Sequence, residues 1–182
     1  MTSKFSNKTL QAWYSFSGLP RCFYPKALET EKFSETFKAK VKSILCPTIQ
    51  ESESQVFYYK PTALSVAIND TDIMRGFGYM CSRYIFDKGC CTYIFYRDLL
   101  TYLKNEELSG KDYDYIYADL VFIDGVRGLA YNEREADLFI SYMYRRFVAK
   151  KKTVLCMLQD FPLDVQNSLG PVLNNAVCLW GL

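Results

Sequence analysis

The sequence predicts an α/β domain in which helices cover both faces of a parallel sheet. Short runs of β-branched and aromatic residues alternate with longer amphipathic segments, and several of the runs are almost wholly apolar. Strands have this composition when both faces of their sheet are buried, as in parallel sheets with crossover helices. At 182 residues and 49% hydrophobic content, the chain has room for one domain with a sizeable core.

Six segments have the composition of strands: VFYY, LSVAI, TYIFY, DLVFI, TVLCML and VCLW. Helices are predicted over roughly 72–87, 97–108 and 133–148. The last prediction rests on apolar residues that recur at helical spacing along one face, namely Ala136, Phe139, Ile140, Met143 and Phe147.

Another amphipathic helix is predicted near the start of the chain. Pro47 is expected to end it, and the polar stretch TIQESESQ that follows is predicted to be a loop. We therefore expect residues 1–50 to form a helical extension packed on a core of residues 51–182. The apolar positions of this helix are Phe33, Phe37, Val41 and Ile44.

Charge and hydropathy exclude several classes of protein. A net charge of +2 and 23% charged residues, without long charge blocks, argue against disorder and against a strongly electrostatic nucleic-acid binder. No run approaches the roughly 18 apolar residues of a membrane helix, and the first residues lack the apolar stretch of a signal peptide. We expect a cytoplasmic protein that does not associate with membranes.

The cysteines and the missing histidine limit the available chemistry. The seven cysteines are odd in number, scattered and mostly inside apolar segments, which favours reduced thiols over disulfides. There is no CxxC pair and no histidine, so no metal site is predicted. Without histidine the commonest general base is absent, and hydrolase catalysis is not expected.

The most informative segment is DLVFIDG, where four apolar residues precede Asp124. Parallel sheets bind ligands at the carboxyl ends of their strands, so Asp124 is a candidate site residue. The plain alternative is that Asp124 ends a buried strand and caps a turn.

The order of several segments resembles the AAA+ core of bacterial replicative-helicase loaders of the DnaC and DnaI type and of the transposon protein IstB. GLPRCFYP is similar to the segment that precedes the loader core, and MCSRYIFDKGCCTYIFYRDLLTYLKN is similar to its first helix, second strand and next helix. EREADLFISYMYRRFVAKKKTVLCML resembles the pattern after the Walker B strand, with matches at Arg146, Phe147, Lys150, Lys151, Lys152 and Thr153. The resemblance covers most of the chain and implies a three-layer P-loop fold, AAA+ or RecA-like, in which Asp124 ends the Walker B-like strand.

The departures from this family fall where ATP would bind. After LSVAI the family has glycines followed by Lys and Ser or Thr, which wrap and neutralise phosphates. Two carboxylates here would instead repel phosphates by about 1–4 kcal/mol per pair at about 4 Å. The residues in this loop are Asn69, Asp70, Thr71, Asp72, Met74 and Arg75.

Other catalytic positions also differ from the family. Gly125 replaces the second acid of the Walker B strand, Gln159 is the only candidate for the polar sensor, and Asn174 and Asn175 lie near the expected arginine finger. We therefore expect no ATP hydrolysis, no catalytic residue and no bound cofactor, with Asp124 vestigial.

The leading functional hypothesis is a pseudo-ATPase that binds a replicative helicase or its loader, as an adaptor or an inhibitor in DNA replication. One alternative is binding of single-stranded nucleic acid through charge and aromatic stacking, although basic residues also suit a solvated turn after a helix. The other two alternatives are a RecA-like recombination paralogue and an unorthodox nucleotide hydrolase that uses Arg75 and Asp124. The candidate contact residues for nucleic acid or a partner are Tyr144, Arg145, Arg146, Lys150, Lys151 and Lys152.

Overall fold

The structure is a computed structural model that describes residues 46–59, 91–109, 114–126, 132–157 and 159–179, with residues 39 and 43. Its strands form one five-stranded sheet in the order β2-β3-β4-β1-β5, and every pair is parallel. The parallel sheet predicted from the apolar runs is therefore confirmed. The strands are β1 Val56–Tyr59, β2 Cys91–Phe95, β3 Leu120–Val126, β4 Lys152–Met157 and β5 Val177–Cys178.

The described helices between β2 and β5 build the main hydrophobic core on one face of the sheet. Ile94, Ile123 and Leu155 lie in register on that face and belong to the same buried cluster as Phe139 and Met143. The described helices are α1 Cys46–Glu51, α2 Tyr96–Ser109, α3 Asp114–Tyr117, α4 Glu133–Val148, α5 Leu163–Ser168 and α6 Gly170–Leu173.

The second face of the sheet is buried as well. Because successive side chains of a strand point to opposite faces, the row Tyr93, Phe122, Val154 and Phe57, which is paired in register, projects away from the main core. None of these four side chains is more than 2% exposed. Both faces of the sheet are therefore covered, as the three-layer prediction requires.

Helix α4 has the predicted bounds because its ends are well specified. Asn132 is the N-cap, and its side chain accepts a hydrogen bond of 3.1 Å from the backbone N–H of Arg134. Glu133 and Glu135 lie in the first turn and basic residues in the last, which complements the helix dipole.

Helix α1 corrects the prediction for the segment after Pro47. Pro47 is the second residue of this helix, so it begins a helix here and residues 48–51 are not a loop. Proline is tolerated in a first turn because the N–H groups there have no intrahelical partner.

Several predictions lie outside the described residues and stay predictions. They concern the strand LSVAI, the helix over 72–87 and most of the helix near the start of the chain. The division at residue 50 also stays a prediction. Within the described ranges, no helix is long and apolar enough to cross a membrane.

Candidate functional site

The sheet topology places the candidate site at the carboxyl ends of β1 and β4. The chain runs from β1 to β2 in one direction across the sheet and from β4 to β5 in the other. In open parallel sheets, ligands bind in the crevice where the direction of the connections reverses. Strand β3, which carries Asp124, lies directly beside β4, so Asp124 is one strand away from this crevice.

The strand at this crevice is β1, which ends at Tyr59. The phosphate loop was predicted to follow LSVAI instead. Its residues, Asn69, Asp70, Thr71, Asp72, Met74 and Arg75, lie outside the described part of the chain. The topology makes the residues directly after Tyr59 a second candidate for the loop, because a phosphate loop joins a strand to a helix.

Asp124 lies within β3 and does not end it. The strand continues to Val126 through a shift in register, and Gly125 adopts a φ of 69° there. Glycine suits this left-handed backbone because it has no Cβ atom. The alternative that Asp124 ends a strand and caps a turn is therefore wrong, and the bulge accounts for Gly125.

The carboxylate of Asp124 is held by a tyrosine of the neighbouring strand. Tyr93 Oη donates a hydrogen bond of 2.6 Å to Asp124 Oδ2, and both residues are buried, Asp124 being 9% exposed. The ring of Phe95 packs edge-on against that of Tyr93 at a centroid distance of 5.5 Å. Hydrogen bonds to an ionised carboxylate are short and strong, so this contact fixes one oxygen of Asp124.

Two further tyrosines near the carboxyl edge of the sheet remain protonated. Burial, followed by the charges of Cys178 and Asp160, raises the pKa of Tyr58 well above its ordinary value. Burial, followed by the charge of Glu135, does the same to the pKa of Tyr96. Near neutral pH both phenols therefore keep their protons and do not act as bases.

Arg146 was predicted to contact nucleic acid or a partner, and its burial shows that this is wrong. It is 0% exposed. Its Nε donates to Thr153 Oγ1 at 2.9 Å, and its Nη atoms donate to four backbone carbonyls, those of Tyr115, Ile116, Ala118 and Lys152. The guanidinium thereby joins α4 to the segments that lead into β3 and β4.

The lysines of the same segment are also engaged in internal contacts. Lys152 Nζ donates to the carbonyls of Ile49, Gln50 and Ser52, which fastens α1 to the sheet. Lys151 Nζ forms an ion pair of 2.8 Å with Asp119. Much of the predicted basic surface therefore stabilises the fold.

The other predicted contact residues have varied surroundings. Tyr144 Oη donates to the carbonyl of Ser168 at 2.9 Å, which links α4 to α5, and Arg145 is half-buried. Lys150 is exposed, and its φ of 55° lies in the left-handed region. The turn with Lys150 precedes β4 and lies at the amino edge of the sheet, whereas Asp124 lies toward the carboxyl edge.

Sequence reasoning missed Tyr93, because its role depends on the pairing of β2 with β3. The sequence indicates a buried strand at 92–96 but does not show which strand is its neighbour. The structure places Phe95 opposite Asp124, which brings Tyr93 close enough to bind the carboxylate.

The comparisons with known proteins identify the fold. No family model and no characterised protein matches this chain by sequence. The solved structure of AMPPCP-bound DnaA from Aquifex aeolicus is similar at a TM-score of 0.55 and 12% identity, over 88% of this chain and 50% of that one. The structure of DnaA bound to AMPPCP and single-stranded DNA is similar at a TM-score of 0.56 and 12% identity, over 85% of this chain and 50% of that one.

The DnaC helicase loader is similar at a TM-score of 0.53 and 12% identity, over 96% of this chain and 98% of the loader chain. The chain thus spans about half of the DnaA chains that it matches and nearly all of the DnaC chain. The predicted resemblance is confirmed for the fold, which is the AAA+/RecA-like α/β fold of these proteins.

Proposed function

From the AAA+/RecA-like fold shared with DnaA and DnaC, we propose that this chain is a replication protein that works without hydrolysing ATP. It binds a replicative helicase or its loader, as an adaptor or an inhibitor. The extent of the likeness supports this, because the chain spans 98% of a protein described as a helicase loader.

The observation that carries the absence of ATP hydrolysis is that residues 60–75, which follow β1, contain no glycine. The first glycine after Tyr59 is Gly76. Phosphate loops need glycines because their backbone N–H groups must approach and wrap the phosphates. This argument holds for a loop that begins directly after β1 and equally for one at residues 69–75.

The surroundings of Asp124 support the same conclusion. Tyr93 donates to Oδ2 of the Asp124 carboxylate, so one of the two oxygens that could hold Mg²⁺ is already engaged within the sheet. At the position of the acid that would orient the attacking water, this chain has Gly125, whose φ of 69° suits glycine. Asp124 and Tyr93 thus act together as a buried structural pair.

We expect nucleotide to have no effect on this protein. Isothermal titration with Mg-ATP should give no binding heat up to millimolar nucleotide, and Kd for the helicase or loader should be equal with and without ATP. DnaA from Aquifex aeolicus, whose solved structure holds AMPPCP, is the positive control for the titration. Micromolar binding of Mg-ATP would contradict the proposal and favour hydrolysis through an unorthodox loop.

We expect Tyr93→Phe to lower the free energy of unfolding by about 1.5–3 kcal/mol, because it removes a hydrogen bond to a buried carboxylate. Tyr96→Phe is the matched control, since Tyr96 Oη is buried and has no hydrogen-bond partner among the described residues. The free energy of unfolding should be almost unchanged in Tyr96→Phe. Urea denaturation measures both variants, and equal losses would show that the Tyr93 contact has no special role.

Binding of single-stranded nucleic acid has less support. The DnaA neighbour was solved with single-stranded DNA, but Arg146 is buried in this chain and Lys151 is paired with Asp119. Glu51 and Glu53 are exposed on the segment before β1, at the same edge as these basic residues, and they would repel a phosphate backbone.

A further inference from the structure

Asp124 is a buried carboxylate whose charge is not paired within the described residues. It is 9% exposed, and its Oδ2 atom accepts the hydrogen bond from Tyr93 Oη. None of the ion pairs found in the described part of the chain includes Asp124. A buried charge is costly unless an opposite charge neutralises it, so this carboxylate favours a cation that comes from outside the chain.

The second oxygen of the carboxylate, Oδ1, is the atom that such a cation can reach. Oδ1 accepts no hydrogen bond from the described residues. It is also not among the described side-chain oxygens that lack both solvent contact and a hydrogen-bond partner. Because Oδ1 has no partner there, it is in contact with solvent.

The ring of Phe95 lies beside this carboxylate. Phe95 and Asp124 are paired in register on neighbouring strands, so their side chains project from the same face of the sheet. Tyr93 contacts both, because its hydroxyl binds Asp124 and its ring packs edge-on against that of Phe95 at 5.5 Å. Phe95 is the last residue of β2 and is 45% exposed. An exposed aromatic ring therefore stands next to an accessible carboxylate oxygen.

We infer that Asp124 and Phe95 bind an arginine side chain of the protein partner. This inference rests on the proposed function and names the contact through which the partner is recognised. The guanidinium group donates hydrogen bonds to Asp124 Oδ1 and lies over the ring of Phe95, because arginine pairs with carboxylates and also stacks on aromatic rings. Tyr93 is the positioning residue, since it holds both the carboxylate and the ring.

Other ligands fit these residues less well. A metal ion needs several ligand atoms, and the described residues contain no group of three acidic or cysteine side chains that could hold one. Lysine carries a compact, strongly hydrated ammonium, which stacks less well than a flat guanidinium.

A nucleic acid would bring phosphates to an edge of the sheet that is mainly acidic. Helices α2, α4 and α5 begin at this carboxyl edge, and each has an exposed acid in its first turn, namely Asp98, Glu133 and Asp164. The exposed bases in the same turns are Arg97 and Arg134. The excess of acids repels a phosphate backbone and attracts a basic side chain of a protein.

Surface plasmon resonance tests this contact with the full chain and the purified replicative helicase and loader of the organism that encodes it. Asp124→Asn should raise Kd by about tenfold or more, because it removes the charge and keeps an oxygen that can accept from Tyr93. Phe95→Leu should raise Kd by about threefold or more, although leucine is also apolar. Phe95→Trp should leave Kd unchanged or lower it, because tryptophan offers the best ring for a cation.

Leu163→Ala is the matched control at the same edge of the sheet. Leu163 is 73% exposed and begins α5, which follows β4. Its truncation should change Kd by less than about twofold, because exposed apolar contacts outside the centre of an interface contribute little. The Phe95 variants decide the inference if Asp124→Asn does not fold, because Phe95 is a partly exposed residue at the end of its strand.

The outcomes separate this inference from the proposed function. If the unaltered chain binds neither protein, the proposed function fails and the inference fails with it. If the chain binds but either Asp124→Asn or Phe95→Leu binds as tightly as the unaltered chain, only the inference fails.

Two further measurements can reassign the residues. Binding heat for Mg²⁺ alone that Asp124→Asn abolishes would assign Oδ1 to a metal ion. Binding of a fluorescein-labelled single-stranded oligonucleotide that Phe95→Leu abolishes would assign the ring to base stacking. Either result would overturn the inference, and we expect neither.

Discussion

Replacing Arg146 with alanine is expected to lower the free energy of unfolding by about 3–5 kcal/mol. The side chain is 0% exposed, and its loss leaves four backbone carbonyls and Thr153 Oγ1 without their donor. Each buried polar group that loses its partner costs about 1–3 kcal/mol, and the cavity adds to this loss. For a domain stable by about 5–15 kcal/mol, much of the stability would disappear.

Urea denaturation followed by far-UV circular dichroism measures this effect. Arg145→Ala is the matched control, because it lies on the same helical turn and is half-buried; it should lower the stability by about 1 kcal/mol or less. Arg146→Lys should fall between the two, since an ammonium cannot reach acceptors in several directions. Equal losses for Arg146→Ala and Arg145→Ala would show that the buried hydrogen bonds have no net effect.

Phe139→Ala is expected to cost about 3–5 kcal/mol and to lower Tm by roughly 10 °C in a chain of this size. Phe139, a residue of α4, is 0% exposed and lies at the centre of an aromatic cluster. Its ring contacts those of Tyr96 at 5.3 Å, Phe161 at 5.7 Å and Tyr142 at 6.5 Å between centroids. Truncation would leave a cavity where α2, α4 and the β4–α5 segment meet.

Differential scanning calorimetry measures the change, with Phe147→Ala as the control on the same helix. Phe147 is only half-buried, so its truncation should cost less than half as much. Phe139→Leu should recover most of the stability because it refills much of the volume. A Tm for Phe139→Ala within 2 °C of the unaltered protein would contradict a central role for this ring.

The elements predicted best from sequence are those with local determinants. Helix α4 was predicted with its observed bounds from apolar residues at helical spacing, and the structure adds the N-cap and the charges that fix its ends. The apolar runs at β3 and β4 correctly predicted a parallel sheet, because strands that are buried on both faces are apolar throughout. Pro47 was interpreted wrongly because proline both follows helices and begins them.

The predictions that failed depended on contacts between distant segments. Arg146 stands in a basic run that is typical of a solvated surface, and its carbonyl partners at 115–118 are about thirty residues away along the chain. Asp124 was recognised from its strand, but the register that supplies Tyr93 became known only from the fold. Neither partner leaves a pattern in the local sequence.

The sequence by itself determined the α/β class, the bounds of its strongest helix and the absence of glycine from residues 60–75. These follow from side-chain periodicity and composition, which act over a few residues. Only the tertiary structure decided the order of the strands, the burial of Arg146 and the pairing of Tyr93 with Asp124. These depend on which distant segments meet, because burial and hydrogen bonding are properties of the assembled sheet and its helices.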